Sequence, residues 1–90
     1  MAIFLKDSGA TIDYAVDWSA GYLAGQTITA SAWAVTPAGV VVEASVIEAG
    51  KTVATLSGGK PGLLYQIANR VTFSDGRTDE RMLVLRVEDR

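Results

Sequence analysis

The stretch Leu56-Ser57-Gly58-Gly59-Lys60-Pro61-Gly62-Leu63-Leu64-Tyr65 decides the fold. A Pro-Gly corner hands the chain to a strand that opens on a tyrosine, and Ile67, Val71 and Phe73 follow Tyr65 at strand alternation. In two-sheet β-sandwiches, a tyrosine so placed turns its hydroxyl back to the main chain a few residues upstream and fixes the crossing between sheets. Tyr65 and Gly62 are therefore expected to serve the fold, the alternative for Tyr65 being a ligand contact.

The same pattern extends in both directions. Downstream, 64–73 and 78–88 read as the longest hairpin, with Asp75-Gly76 at its tip where a type I′ turn needs positive φ. Upstream, 40–47 and 52–57 form a hairpin through the loop 48–51, and Thr36-Pro37-Ala38-Gly39 is a turn. The segment 27–35 is a further strand. Its largest side chains, Ile28 and Trp33, have opposite parity and face opposite sides unless a bulge intervenes. Ile12, Tyr14, Val16 and Trp18 give a strand one apolar face, and a short helical turn is expected at 19–24, capped by Ser19 and closed by Gly25. With the N-terminal residues as an edge strand, the count reaches about seven antiparallel strands. The expected architecture is a single all-β domain over 1–90, an immunoglobulin-like or fibronectin III-like sandwich.

Composition narrows the function. No cysteine and no histidine are present, which removes disulfides, thiolate chemistry and ordinary zinc sites. Charged residues make up 20% of the chain and hydrophobic ones 49%, so a 90-residue domain has few charges with which to solvate its surface. Coverage of part of that surface by neighbours is expected. The net charge of −2 supplies no basic field for nucleic acid or anionic lipid. No segment approaches the roughly 18 apolar residues of a membrane helix, and Met1 to Asp7 is no signal peptide, so synthesis in the cytoplasm is expected.

Three groups of residues bear on a site. Trp18 and Trp33 are the largest apolar bodies in a chain with 8% aromatics, and core placement is expected for at least one. An exposed sugar-binding platform, which usually needs several aromatics in a row, is the alternative. Arg77-Thr78-Asp79-Glu80-Arg81 beside Asp75 alternates charge on a strand face, which ordinarily means solvated cross-strand pairs. The competing reading makes Arg77, Asp79, Glu80 and Arg81 an interface with a neighbouring subunit. Catalysis is not expected: a convex hairpin end offers carboxylates no cleft, and neither Lys6, Lys51 nor Lys60 lies in a serine–lysine motif. Asp13 and Asp17 share a strand face but lie about 13 Å apart by strand rise, too far to ligate one metal. No metal site and no cofactor are expected, and Gly58-Gly59-Lys60 lacks the remainder of a phosphate loop.

Taken together, Asp13-Tyr14 with Asp17-Trp18, Leu56-Ser57-Gly58-Gly59, Asn69-Arg70 and Gly76-Arg77-Thr78-Asp79-Glu80-Arg81 resemble a family of short virion proteins of tailed bacteriophages and prophages, the fibre–tail adaptors. Lys6-Asp7, Trp33, Gly62, Tyr65 and the closing Leu85-Arg86-Val87 belong to the same likeness, whereas 35–53 matches in pattern only. The resemblance implies an immunoglobulin-like fold and a structural place at the neck, tail or fibre attachment of the virion. It implies several symmetric copies contacting other virion proteins, with no nucleic acid or membrane partner and no catalytic residue. A capsid decoration or cement protein is the near alternative. A carbohydrate- or cell-surface-binding module is the more distant one.

Overall fold

A computed structural model describes residues 2–18, 25–48 and 50–89. Seven strands follow in order: β1 (Ala2–Asp7), β2 (Ile12–Asp17), β3 (Ile28–Thr36), β4 (Val40–Glu48), β5 (Lys51–Gly58), β6 (Leu64–Phe73) and β7 (Thr78–Glu88). They form two sheets, β1-β7-β6-β3 and β2-β5-β4. These orders reproduce the two halves of an immunoglobulin-like sandwich, with the first strand placed on the edge beside the last. The helical turn expected at 19–24 lies outside the described residues.

Alternation explains both sheets. Along β6 the odd positions Tyr65, Ile67, Asn69, Val71 and Phe73 are buried, and along β5 the even positions Thr52, Ala54 and Leu56 are. Apolar residues at period two can bury one sheet face only, and the two faces close on each other. One core cluster gathers Leu56, Tyr65, Ile67, Leu85 and Val87 with smaller neighbours. A second forms around Trp18, Val71 and Phe73, with Val16 and Ile28 packed on it.

Three local features differ from expectation or resolve it. Pairing is antiparallel except at one edge, where β1 runs parallel to β7, Phe4 opposite Leu85 and Lys6 opposite Val87. No hairpin links these two strands, so no turn dictates their relative direction. The parity conflict in β3 is settled by a bulge: its register against β6 shifts between Ile28 and Ala30. The extra residue lets Ile28 reach the second core while Trp33 reaches the first. The turn after Phe73 is also of another kind. Gly76 N–H donates to the Phe73 carbonyl at 2.9 Å and Phe73 N–H to the Arg77 carbonyl at 2.8 Å. This is a three-residue loop closed on a glycine bulge, in place of the two-residue type I′ turn. Gly76, at φ 90°, supplies the left-handed position.

Candidate protein-binding surfaces

The interior between the sheets holds a polar junction. Trp18 follows the last residue of β2 and is fully buried, and its indole Nε1 donates to Thr52 Oγ1 at 3.1 Å and Asn69 Oδ1 at 3.2 Å. The Thr52 hydroxyl donates to the same Asn69 oxygen. Asn69 Nδ2 in turn donates to Ser31 Oγ at 2.8 Å and to the Ala32 carbonyl at 3.1 Å. One amide side chain on β6 thus joins β3, β5 and the end of β2, and every donor and acceptor it owns is engaged. The outer flank of this junction is closed by Arg81, whose guanidinium lies 4.7 Å from the Trp18 ring centre. Its Nη1 also donates to the Asp17 carbonyl at 3.0 Å.

The corner upstream of Tyr65 is built around the tyrosine itself. Its buried hydroxyl accepts from Lys60 N–H at 2.9 Å, and Gly62 N–H donates to the Val87 carbonyl at 2.8 Å. Gly39 and Gly59 allow the close packing. A Cβ on Gly39 would stand 2.8 Å from the Tyr65 hydroxyl, and one on Gly59 2.6 Å from Val87 Cγ2. Lys6 ties β1 to this corner: its side chain is 2% exposed, and Nζ donates to the Gly58 carbonyl at 2.7 Å and to the Asp7 carbonyl at 2.8 Å. Burial pushes the Lys6 pKa below its ordinary value, with the adjacent Asp7 carboxylate acting the other way.

The charged residues of the terminal hairpin separate by parity. Arg77 Nε pairs with Asp75 Oδ2 at 2.6 Å, and the Asp75 carboxyl is held below its usual range first by the Arg77 backbone N–H. Glu80 faces outward opposite Arg70, with 3.9 Å between their charged atoms. Asp79 Oδ1 accepts from the Glu80 N–H. Arg81 turns inward onto Trp18. Of the four candidate interface residues, Arg77 and Glu80 present charge to solvent, whereas Arg81 is drawn into the junction.

Trp33 is half-buried against the first core, and its Nε1 is buried without a hydrogen-bond partner. A cleft of about 210 Å³ lies beside it, bordered by Phe4, Val16, Arg81, Met82 and Leu83. It opens where β1, which begins opposite Leu83, leaves the flank of β7 uncovered. The volume is below that of ordinary small-molecule pockets. With Trp18 sealed and Trp33 half-buried, the two rings make no sugar platform. Among the described residues no three acidic side chains gather as a metal site, and no helix is long and apolar enough to cross a membrane.

The chain's exposed apolar side chains are concentrated on surfaces. Ile3, Leu5, Leu64 and Met82 all lie on the outer face of the β1-β7-β6-β3 sheet, and Val41 and Val46 lie on the edge strand β4. A surface of this kind, around an interior locked by hydrogen bonds, suits contact with other proteins. The family model for the podophage GP4 fibre–tail adaptor protein gp77 matches residues 6–86. The chain belongs to this fibre–tail adaptor family. The matched region runs from the buried Lys6 to Arg86, so β2 to β6 of the adaptor fall wholly within it, with the end of β1 and most of β7. No curated protein matches the chain. Membership carries a structural, tail-joining role, a place in the virion and partners among phage tail and fibre proteins. Sequence reasoning has Asn69 and Lys6 only as part of the family likeness and Thr52 only as the start of a strand, with no role for any of them. Each is a polar side chain at core parity within an apolar alternation.

Proposed function

We propose that this adaptor is a non-enzymatic joint that holds a fibre component to the tail or neck of a podophage virion through protein–protein contacts. The match of the family model to residues 6–86 carries the reading. The architecture supports it, because an adaptor must transmit load without rearranging. The two sheets are cross-linked by the Trp18–Thr52–Asn69 junction and by the Tyr65 corner. The chain is made in the host cytoplasm and assembles in several symmetric copies, so individually weak contacts reinforce one another. Within the charged run of the terminal hairpin, Arg77 and Glu80 are exposed and available to a neighbour. The test is deletion of the gene from its phage. Mutant particles are expected to retain heads and tail tubes and to lack fibres by electron microscopy, with infectivity restored by the chain supplied in trans. Fully fibred particles from the deletion would overturn the proposal.

A further inference from the structure

The outer faces of the two sheets differ in degree, the β2-β5-β4 face carrying exposed Val41 and Val46 among polar neighbours. On the β2-β5-β4 sheet, carboxylates are placed outward and bonded there, Asp13 to the Thr55 hydroxyl and Glu43 to the Ser57 hydroxyl. On the β1-β7-β6-β3 sheet, the outward row is apolar. Ile3 is 69% exposed, Leu64 58% and Leu5 50%, with Met82 and Val84 between them on β7. A lone domain gains nothing by leaving such a face in water.

We infer that this face is an interface between two copies of the chain, related by a two-fold axis that crosses β7 between Met82 and Val84. The charge pattern of β7 selects a second copy over a foreign partner. Its outward residues run Thr78, Glu80, Met82, Val84, Arg86, Glu88, so that one acidic and one basic residue flank two apolar centres. Reversing one copy over the other lays each Glu80 against the partner's Arg86 and each Met82 against the partner's Val84. A two-fold interface must be self-complementary, and this row is so. Within one chain the same charges reach only exposed partners, Glu80 to Arg70 at 3.9 Å and Arg86 to Glu88 at 2.9 Å.

The area is adequate for a modest dimer. Four strands about 4.8 Å apart and ten residues rising about 3.3 Å each give a face on the order of 600 Å² before side-chain relief. Two such faces bury on the order of 1,200 Å², the lower bound of specific interfaces. The contact is therefore weak alone and strengthened when both copies are anchored in a larger assembly. It deepens the multi-copy part of the proposed function and leaves fibre attachment itself independent.

Sedimentation equilibrium of the purified full-length chain tests it. Mass should rise with concentration from 9.5 kDa toward twice that value. Met82→Glu, on an exposed position, should abolish the rise while melting within a few degrees of wild type. Glu80→Arg alone and Arg86→Glu alone should each weaken association by about tenfold or more, since each places like charges together twice per dimer. The double variant Glu80→Arg/Arg86→Glu should return to within about threefold of wild type, a rescue that the intrachain pairs cannot produce. A chain that stays monomeric at millimolar concentration would overturn the inference. So would a dimer insensitive to Met82→Glu, or charge reversals that are not rescued by combination. A monomer whose gene deletion still strips fibres from particles would refute this interface and leave the adaptor reading standing.

Discussion

Replacing Asn69 by alanine removes a side chain that hydrogen-bonds to both sheets at the centre of the sandwich. Four hydrogen bonds go with it: two into Oδ1, from Trp18 and Thr52, and two from Nδ2, to Ser31 and Ala32. Trp18 keeps a second acceptor in Thr52 Oγ1 at 3.1 Å, so the indole is not orphaned. The Thr52 hydroxyl, fully buried, loses its acceptor. With about 0.5–1.5 kcal/mol net for each satisfied bond and about 1–3 kcal/mol for a buried group left unpaired, the expected loss is at least about 3 kcal/mol. A domain of this size holds roughly 5–13 kcal/mol in all, and a loss of that size lowers the melting point by about 12–24 °C. Urea unfolding followed by tryptophan emission measures it, with the slope against denaturant expected to be unchanged. The neighbouring Arg70→Ala, outward and exposed, should stay within about 0.5 kcal/mol of wild type. A double-mutant cycle with Thr52→Val should return a coupling of about 1 kcal/mol or more. A loss below about 1 kcal/mol for Asn69→Ala, or strict additivity with Thr52→Val, would refute the claim that this junction joins the sheets.

Tyr65→Phe removes the acceptor of the Lys60 N–H and should cost about 1 kcal/mol in the same urea titration. Gly59→Ala should be more damaging, about 2 kcal/mol or more. Its φ of 101° disfavours a side chain and the added carbon meets Val87, so a protein that melts as wild type would disprove the packing at the corner. For Lys6 the prediction concerns pH. Its folded pKa lies below the unfolded value of 10.5, so between the two the unfolded chain binds more protons and stability rises with pH. The stability of wild type relative to Lys6→Met should therefore increase as pH climbs toward 10.5. Using the difference removes the opposite contribution of Tyr14, whose hydroxyl pKa is raised by burial. A difference that is flat or falls over that range would show that Lys6 is not desolvated.

The strands of the terminal hairpin were legible to the residue, because Tyr65, Ile67, Val71 and Phe73 and then Leu83, Leu85 and Val87 keep one parity, and Gly62 and Gly76 stand shortly before each strand. The β3 bulge was legible as a conflict: Ile28 and Trp33 cannot both be inside without an extra residue, and the structure inserts one between Ile28 and Ala30. What could not be read was set by tertiary geometry. The direction of β1 depends on a neighbour 81 residues away and not on a local turn. The closing of the hairpin on Gly76 alone depends on hydrogen bonds between Phe73 and Arg77 that Asp-Gly does not by itself specify. Asn69 left a signal that parity alone exposes, a polar residue between Ile67 and Val71 at core positions. Thr52 stands likewise before Ala54 and Leu56, and Lys6 after Phe4. Parity also divides the charged run on β7, sending Arg81 inward to Trp18 and Glu80 outward to Arg70. A run read as one patch is therefore two different structures.

The central claim, that this chain is a joint between fibre and tail, is tested most directly by reconstruction of the intact virion of its phage, with the sandwich fitted into density. The account predicts density for the β1-β7-β6-β3 and β2-β5-β4 sheets in a symmetric set of copies where fibres meet the tail, each copy touching both. Density for the chain on the capsid surface alone, or none in fully fibred particles, would contradict it.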